Sequence, residues 1–239
     1  MGLVINPRGT SGSGKTWLVR EVMAAYRRGG AGAVAIRREG RTRPMGWRLL
    51  HPSCGRPLAV IGHYGATRGG TDTIPEADGG LDAAFRLADA LAAGGDDVLL
   101  EGYRLSGDVD RTAALARAQR ARGEALHVLC LDAPVERSVR RVVARRRAGA
   151  AALPAIERTA RAGHAATSAA CDALRRDGVE VEWLDAPAAL RRALVLLGLD
   201  PALAGCPRGV KGQDRRPDGA PAAVPGSPAA AAAMAAGAI

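Results

Sequence analysis

Residues 9–16 read Gly-Thr-Ser-Gly-Ser-Gly-Lys-Thr, and no other stretch constrains the fold of this chain so tightly. The apolar run Leu3-Val4-Ile5 comes just before, and a helical pattern opening on Trp17-Leu18-Val19 follows. A buried strand, a glycine turn and a helix start are expected in that order, with the spacing GxxxxGK[ST] matched in full. The spacing has a mechanism. Gly9, Gly12 and Gly14 let the backbone take positive φ, so that successive N–H groups, with Thr10, Ser11 and Ser13 between them, turn inward on an anion. The positive end of the following helix points at the same place. Lys15 is then placed to reach the outer phosphates of a nucleotide and the Thr16 hydroxyl to ligate Mg²⁺. The expectation is a site for a nucleoside triphosphate, with ATP and Mg²⁺ as its occupants.

Composition supports that reading at one point. Of 34 basic residues only Lys15 and Lys211 are lysine. A chain so biased toward arginine still has lysine where a compact ammonium on a flexible stem is wanted. The same bias discounts part of the +10 net charge as a partner signal.

Apolar runs alternate with helical patterns along the body, which predicts an α/β fold: a mostly parallel five-stranded sheet with helices on both faces. Strands are expected at 3–5, 33–36, 98–100, 125–131 and 179–184, and helices at 16–28, 81–93, 111–122, 156–176 and 186–197, with a further helix opened by Pro134. Two β-like runs, 47–51 and 58–64, flank Pro52-Ser53-Cys54-Gly55 and predict an inserted β-hairpin. The predicted domain is 1–199, with hairpin and acceptor loop at 45–80 and a lid at about 140–156. From 200 to 239 the Pro, Gly and Ala content predicts a disordered tail.

Several classes are excluded. The four cysteines, Cys54, Cys130, Cys171 and Cys206, have neither disulfide-framework nor zinc spacing, and His51, Cys54 and His63 make a poor ligand set. No apolar run approaches the roughly 20 residues of a membrane helix. A strand beginning at Leu3 leaves no room for a signal peptide, so a cytoplasmic protein is expected.

Glu101 ends an apolar strand that should lie beside the first. That is the place for an acid that holds Mg²⁺ or orients the attacking group. Arg141 and Arg145 stand one helical turn apart in the densest charge run, with Arg137 a turn before and Arg146 and Arg147 after. Guanidinium groups on a closing lid neutralise charge on a moving phosphoryl group. Asp72, in the polar glycine-rich stretch 65–80, is the candidate for orienting or deprotonating an acceptor hydroxyl. Asp78, His63, Tyr64, Arg68, Arg104 and Asp108 are secondary candidates.

The glycine loop, the strand ending Leu99-Leu100-Glu101-Gly102, and Leu131-Asp132-Ala133-Pro134-Val135-Glu136 leading into an arginine-rich helix together resemble P-loop kinases of the nucleoside, nucleotide and shikimate kinase group. The stretch 5–15 is also similar to small kinase-like ATP-binding proteins of actinobacteria and phages. The resemblance implies that Lys15 and Thr16 bind phosphate and Mg²⁺, that Glu101 holds the acidic position, and that Arg141 and Arg145 belong to the lid. The hairpin and the Gly69–Ile74 loop stand where nucleotide kinases carry acceptor-binding helices. Three functions follow: ATP-dependent phosphate transfer to a small molecule, a nucleoside or nucleotide first; transfer to a modified base or strand end of nucleic acid, favoured by charge but opposed by the scarcity of aromatics; or an ATP-binding switch without an acceptor.

Overall fold

The computed structural model describes residues 1–28, 32–53, 55–65 and 69–202. Cys54, Arg68, Cys206, Lys211 and the stretch 203–239 lie outside the described residues. Seven strands form one sheet: β1 (Val4–Arg8), β2 (Ala33–Ile36), β3 (Gly46–Leu49), β4 (Leu58–Ile61), β5 (Asp97–Leu100), β6 (Leu126–Leu131) and β7 (Glu180–Leu184), in the order β2-β3-β4-β5-β1-β6-β7. The run β4-β5-β1-β6-β7 is parallel throughout. Strand β3 is antiparallel to both of its neighbours, so the expected hairpin is the β3–β4 pair.

The expected five-stranded, mostly parallel sheet is corrected to a mixed sheet of seven strands. The reason is connection length. Residues 37–45 and 50–57 are too short for the crossover, about a dozen residues or more, that parallel neighbours require. Strand β2 therefore folds back on β3 and sits at the sheet edge instead of joining the parallel core.

Helices α1 (Lys15–Arg27) and α6 (Ala186–Leu196) cover one face, and α2 (Gly80–Ala93), α3 (Asp110–Ala121) and α5 (Leu153–Arg176) the other. The pleat divides the core between them. Ile5, Val60 and Leu99 pack with Leu18 and Leu190, whereas Val4, Ile61 and Val98 pack with Ala84, Leu115 and Leu174. Helix α4 (Val135–Arg146) stands off the sheet, laying Val139 and Val142 on Ile156 and Ala160 of α5. Pro134 is not its first helical residue but its N-cap, with extended ψ of 134°, and the helix opens at Val135. Among the described residues no helix is long and apolar enough to cross a membrane.

Candidate active site

Strand β1 delivers the chain to the glycine loop. Gly9, Gly12 and Gly14 have φ of +151°, +88° and +117°, conformations that L side chains rarely adopt. Close approach gives Gly12 a second constraint, because a Cβ there would lie 2.5 Å from the Ser138 carbonyl oxygen of α4. Lys15 begins α1 and is buried, its Nζ donating to the carbonyl oxygens of Gly9 and Thr10 at 2.5 and 3.1 Å. Burial pushes its pKa down, and the charges of Glu101 and Asp72 oppose that shift.

Glu101 follows β5, whose Val98 and Leu99 pair with Val4 and Ile5 of β1. The expected adjacency of the two strands thus sets it beside the loop. Its side chain is buried, and the Thr16 hydroxyl donates to Oε1 at 3.1 Å. Burial pushes the Glu101 pKa up, and Lys15 and the Thr16 hydrogen bond pull it back. The Tyr64 hydroxyl is buried within the influence of this carboxylate but has no partner at hydrogen-bond geometry. Its own pKa is raised well above the ordinary value, first by burial and then by the Glu101 charge.

Asp72 lies in a short 3-10 turn, Gly70–Thr73, anchored where the Thr71 N–H donates to the Glu101 carbonyl at 2.8 Å. Gly70, with φ of +75°, allows this approach, since a Cβ would lie 2.2 Å from the same carbonyl oxygen. The Asp72 carboxylate accepts the backbone N–H groups of Tyr103 at 2.6 Å and Arg104 at 3.2 Å. It therefore ties the turn to the loop after Glu101 while remaining exposed to the pocket.

From the opposite side, Arg141 Nη1 donates to the carbonyls of Gly12 at 3.2 Å and Ser13 at 3.4 Å. Arg145 Nη2 donates to Ser11 Oγ at 3.0 Å. One pocket of about 810 Å³ takes in Ser11, Gly12, Gly14, Lys15, Thr16, Asp72, Glu101, Arg141 and Arg145. Gly9, Thr10 and Ser13 do not line it: Ser13 is buried beneath the loop and the Thr10 hydroxyl donates to the Ala160 carbonyl of α5.

Of the secondary candidates, Arg104 lines the pocket and also pairs with Glu76, whereas Tyr64 lies behind Glu101. Asp78 pairs with Arg41 at 2.9 Å, the His63 ring leans on Trp47, and Asp108 holds Arg111 at 2.9 Å, all off the pocket wall. His51 is likewise elsewhere, its Nε2 3.0 Å from the Leu197 carbonyl oxygen. Arg146 joins the pocket and Arg137 and Arg147 do not. Arg147 closes α4 in a left-handed conformation, with φ of +52°.

Sequence reasoning missed Trp17, Arg20, Tyr103, Ala186 and Pro187, which complete the wall. Trp17 and Tyr103 were legible as aromatics adjoining the two strongest motifs. Gly163 lies against the Tyr103 ring and gives Thr10 room, because a Cβ there would come within 2.8 Å of Thr10 Oγ1. Arg8 was missed as well. Fully buried at the end of β1, it donates to Asn6 Oδ1 at 2.8 Å, the Asp108 carbonyl at 2.6 Å and Thr112 Oγ1 at 2.5 Å, pinning the loop that carries Tyr103.

Fold and site together define an α/β protein with a crevice at the carboxyl ends of its parallel strands, beside β1, where successive strands pass from one side of it to the other. No family model matches the chain. The chain is 34% identical over 195 residues to the 5-hmdU DNA kinase of Pseudomonas phage PaMx11, a match spanning 81% of this chain and 96% of that protein. The chain belongs to the family of that kinase, and it is an enzyme with kinase activity.

Proposed function

We propose that the chain is a P-loop phosphotransferase that moves the γ-phosphate of ATP to the hydroxyl of a modified base in DNA, 5-hydroxymethyldeoxyuridine being the first acceptor to test. The observation that carries this reading is a single pocket with two chemically different halves. One half holds the glycine loop, Lys15, Arg141 and Arg145; the other holds Asp72, Tyr103 and Arg104. At about 810 Å³ the pocket lies toward the upper end of the ~300–1,000 Å³ usual for ligand sites, room enough for two reactants. Glu101 touches both halves, its side chain accepting from the Thr16 hydroxyl and its backbone carbonyl from the Thr71 N–H next to Asp72.

Residue roles follow from charge. The loop N–H groups and Lys15 hold the β- and γ-phosphates, and Arg141 and Arg145 neutralise the phosphoryl group as it transfers. The stretch 140–156, with these arginines at its start, serves as the lid. Thr16 and Glu101 are hard oxygen donors of the kind Mg²⁺ takes alongside phosphates and water. No group of three His, Cys, Asp or Glu residues suited to a metal exists among the described residues; Thr16 and Glu101 would hold the ion together with phosphate and water oxygens. Bound there, Mg²⁺ supplies charge neutralisation on the phosphates. Asp72 orients the acceptor hydroxyl and accepts its proton. The hydroxyl oxygen bonds to the γ-phosphorus, the bond from that phosphorus to the β,γ-bridging oxygen breaks, and ADP leaves.

A DNA acceptor outranks the small-molecule acceptor expected from sequence because the relative is a DNA kinase. The scarcity of aromatics no longer opposes it. Trp17 and Tyr103, 40% and 44% exposed, both stand on the pocket wall, where a base needs a stacking surface. Transfer of labelled γ-phosphate to DNA bearing 5-hydroxymethyldeoxyuridine, to the same DNA bearing thymidine, and to the free modified nucleoside tests the reading. Labelling of the modified DNA alone is expected. Preferential labelling of the free nucleoside restores the small-molecule acceptor, and ATP turnover with no labelled acceptor leaves an ATP-driven switch.

A further inference from the structure

We propose that a second cavity, between the β2–β3 connection and α2, binds the sugar–phosphate backbone of the DNA whose base enters the main pocket. The proposal rests on the DNA-kinase reading. This cavity, about 310 Å³, has Arg37, Arg38 and Arg86 over a floor that includes Ile36, Met45 and Leu87. The three arginines are exposed, and the floor is buried or half-buried. Guanidinium forks suit non-bridging phosphate oxygens, and an apolar floor suits the deoxyribose carbons between two phosphates.

Among the described residues the charge of this cavity is only partly offset. The connection 37–45 holds Arg37, Arg38, Arg41 and Arg43 against Glu39 alone. Arg41 pairs with Asp78 at 2.9 Å and donates to the Thr73 carbonyl at 2.9 Å, fixing the loop in place. Arg38 donates to the Asp78 carbonyl at 2.6 Å, which leaves its charge uncompensated. Among the described residues Arg37, Arg43 and Arg86 make no ion pair; Asp82, one turn before Arg86 on α2, is held by Arg111 at 2.5 Å and feels the Arg86 charge only as its weaker neighbour.

Position gives the cavity its meaning. Thr73 and Asp78 hold the arginine loop; Thr73 belongs to the same short turn that carries Asp72 into the main pocket, and Asp78 to the turn that follows it. An occupant of the arginine cavity is thus coupled through a few residues of backbone to the acceptor half. The edge strand β2, whose connection was too short to cross over, is what brings these arginines there.

The test uses the full chain and the double variant Arg37→Gln/Arg86→Gln, which leaves the main pocket untouched. Removing two phosphate-binding guanidinium groups should make the log–log salt dependence of DNA binding shallower by about two, and affinity for unmodified duplex lower by roughly ten- to a hundredfold at 0.1 M salt. The KM for long modified DNA should rise by a like factor, with kcat and melting temperature unchanged and a modified trinucleotide phosphorylated as by wild type. Arg37→Lys/Arg86→Lys should recover most of the loss. Unchanged binding and KM in the Gln variant overturn the cavity assignment, as does an equal loss on the trinucleotide. A wild type that binds duplex through these arginines but phosphorylates no DNA overturns the acceptor reading and leaves the cavity standing. Competition by an acidic peptide but not by DNA makes the ligand a protein and refutes the proposal.

Discussion

Asp72→Asn keeps the shape of the side chain and removes its charge, which separates the two things this carboxylate is in a position to do. As a strut it accepts the N–H groups of Tyr103 and Arg104 at 2.6 and 3.2 Å. An asparagine keeps one carbonyl oxygen for one of them and turns an NH₂ toward the other. One hydrogen bond is lost in an exposed setting, about 1 kcal/mol, or a melting temperature lower by about 2–4 °C for a chain of this size. As the group that takes the acceptor proton it is worth far more. General base catalysis contributes about 10²–10⁴ in rate, about 3–5 kcal/mol at 1.36 kcal/mol per tenfold. A loosened strut of about 1 kcal/mol explains no more than about a fivefold loss. Single-turnover transfer of labelled phosphate, run beside thermal melting on the same samples, reads both effects. A kcat loss above about a hundredfold with the small melting shift supports the proton-accepting role. A loss within about fivefold refutes it and reduces Asp72 to a tie between two loops.

Burial raises the Glu101 pKa, so the folded protein binds that proton more tightly than the unfolded chain. Its favourable contribution is full below the ordinary carboxylate range and is lost as pH rises through the raised folded value. Glu101→Gln should therefore melt higher than wild type by a margin that grows over that interval and then levels, while transfer falls at least about a hundredfold; a margin independent of pH contradicts the burial account. Tyr103→Ala should raise the KM for a base acceptor by about 5- to 100-fold, the worth of one stacking face, with the KM for ATP unchanged and Tyr103→Phe near wild type. Equal KM values in Tyr103→Ala remove the stacking role. In Gly12→Ala the left-handed backbone costs about 1–2 kcal/mol, and a Cβ 2.5 Å from the Ser138 carbonyl must push α4 away. Arg141 moves with α4, so calorimetric titration should show ATP affinity at least about tenfold weaker; wild-type affinity refutes the coupling of loop and α4.

The geometry of the glycine-loop half, the proposed donor side, was legible in the sequence because it is set locally. Positive φ at Gly9, Gly12 and Gly14, a lysine at the helix start and a hydroxyl beside it are demands met within a few residues of backbone. Glu101 was legible at one remove, since a strand-end acid needs only its strand to neighbour β1, as β5 does. The same holds for most helices, whose apolar spacing located them to within a few residues.

What the tertiary structure decided is the proposed acceptor side and the edge of the sheet. Asp72, the Tyr103–Arg104 loop and Gly163 come from three separate elements, and no periodicity records that they meet. The apolar run at β2 carries no direction; only pairing with β3, forced by a short connection, made it antiparallel and set the arginines of 37–45 against the acceptor segment. Arg141 and Arg145 reached the glycine loop for a similar reason, their helix being held off the sheet by its packing on α5. The loop proposed to grip phosphate is written in consecutive residues because a loop of eight can surround an anion by itself. The receiving site needs walls from several elements, and so exists only once the sheet has brought them together.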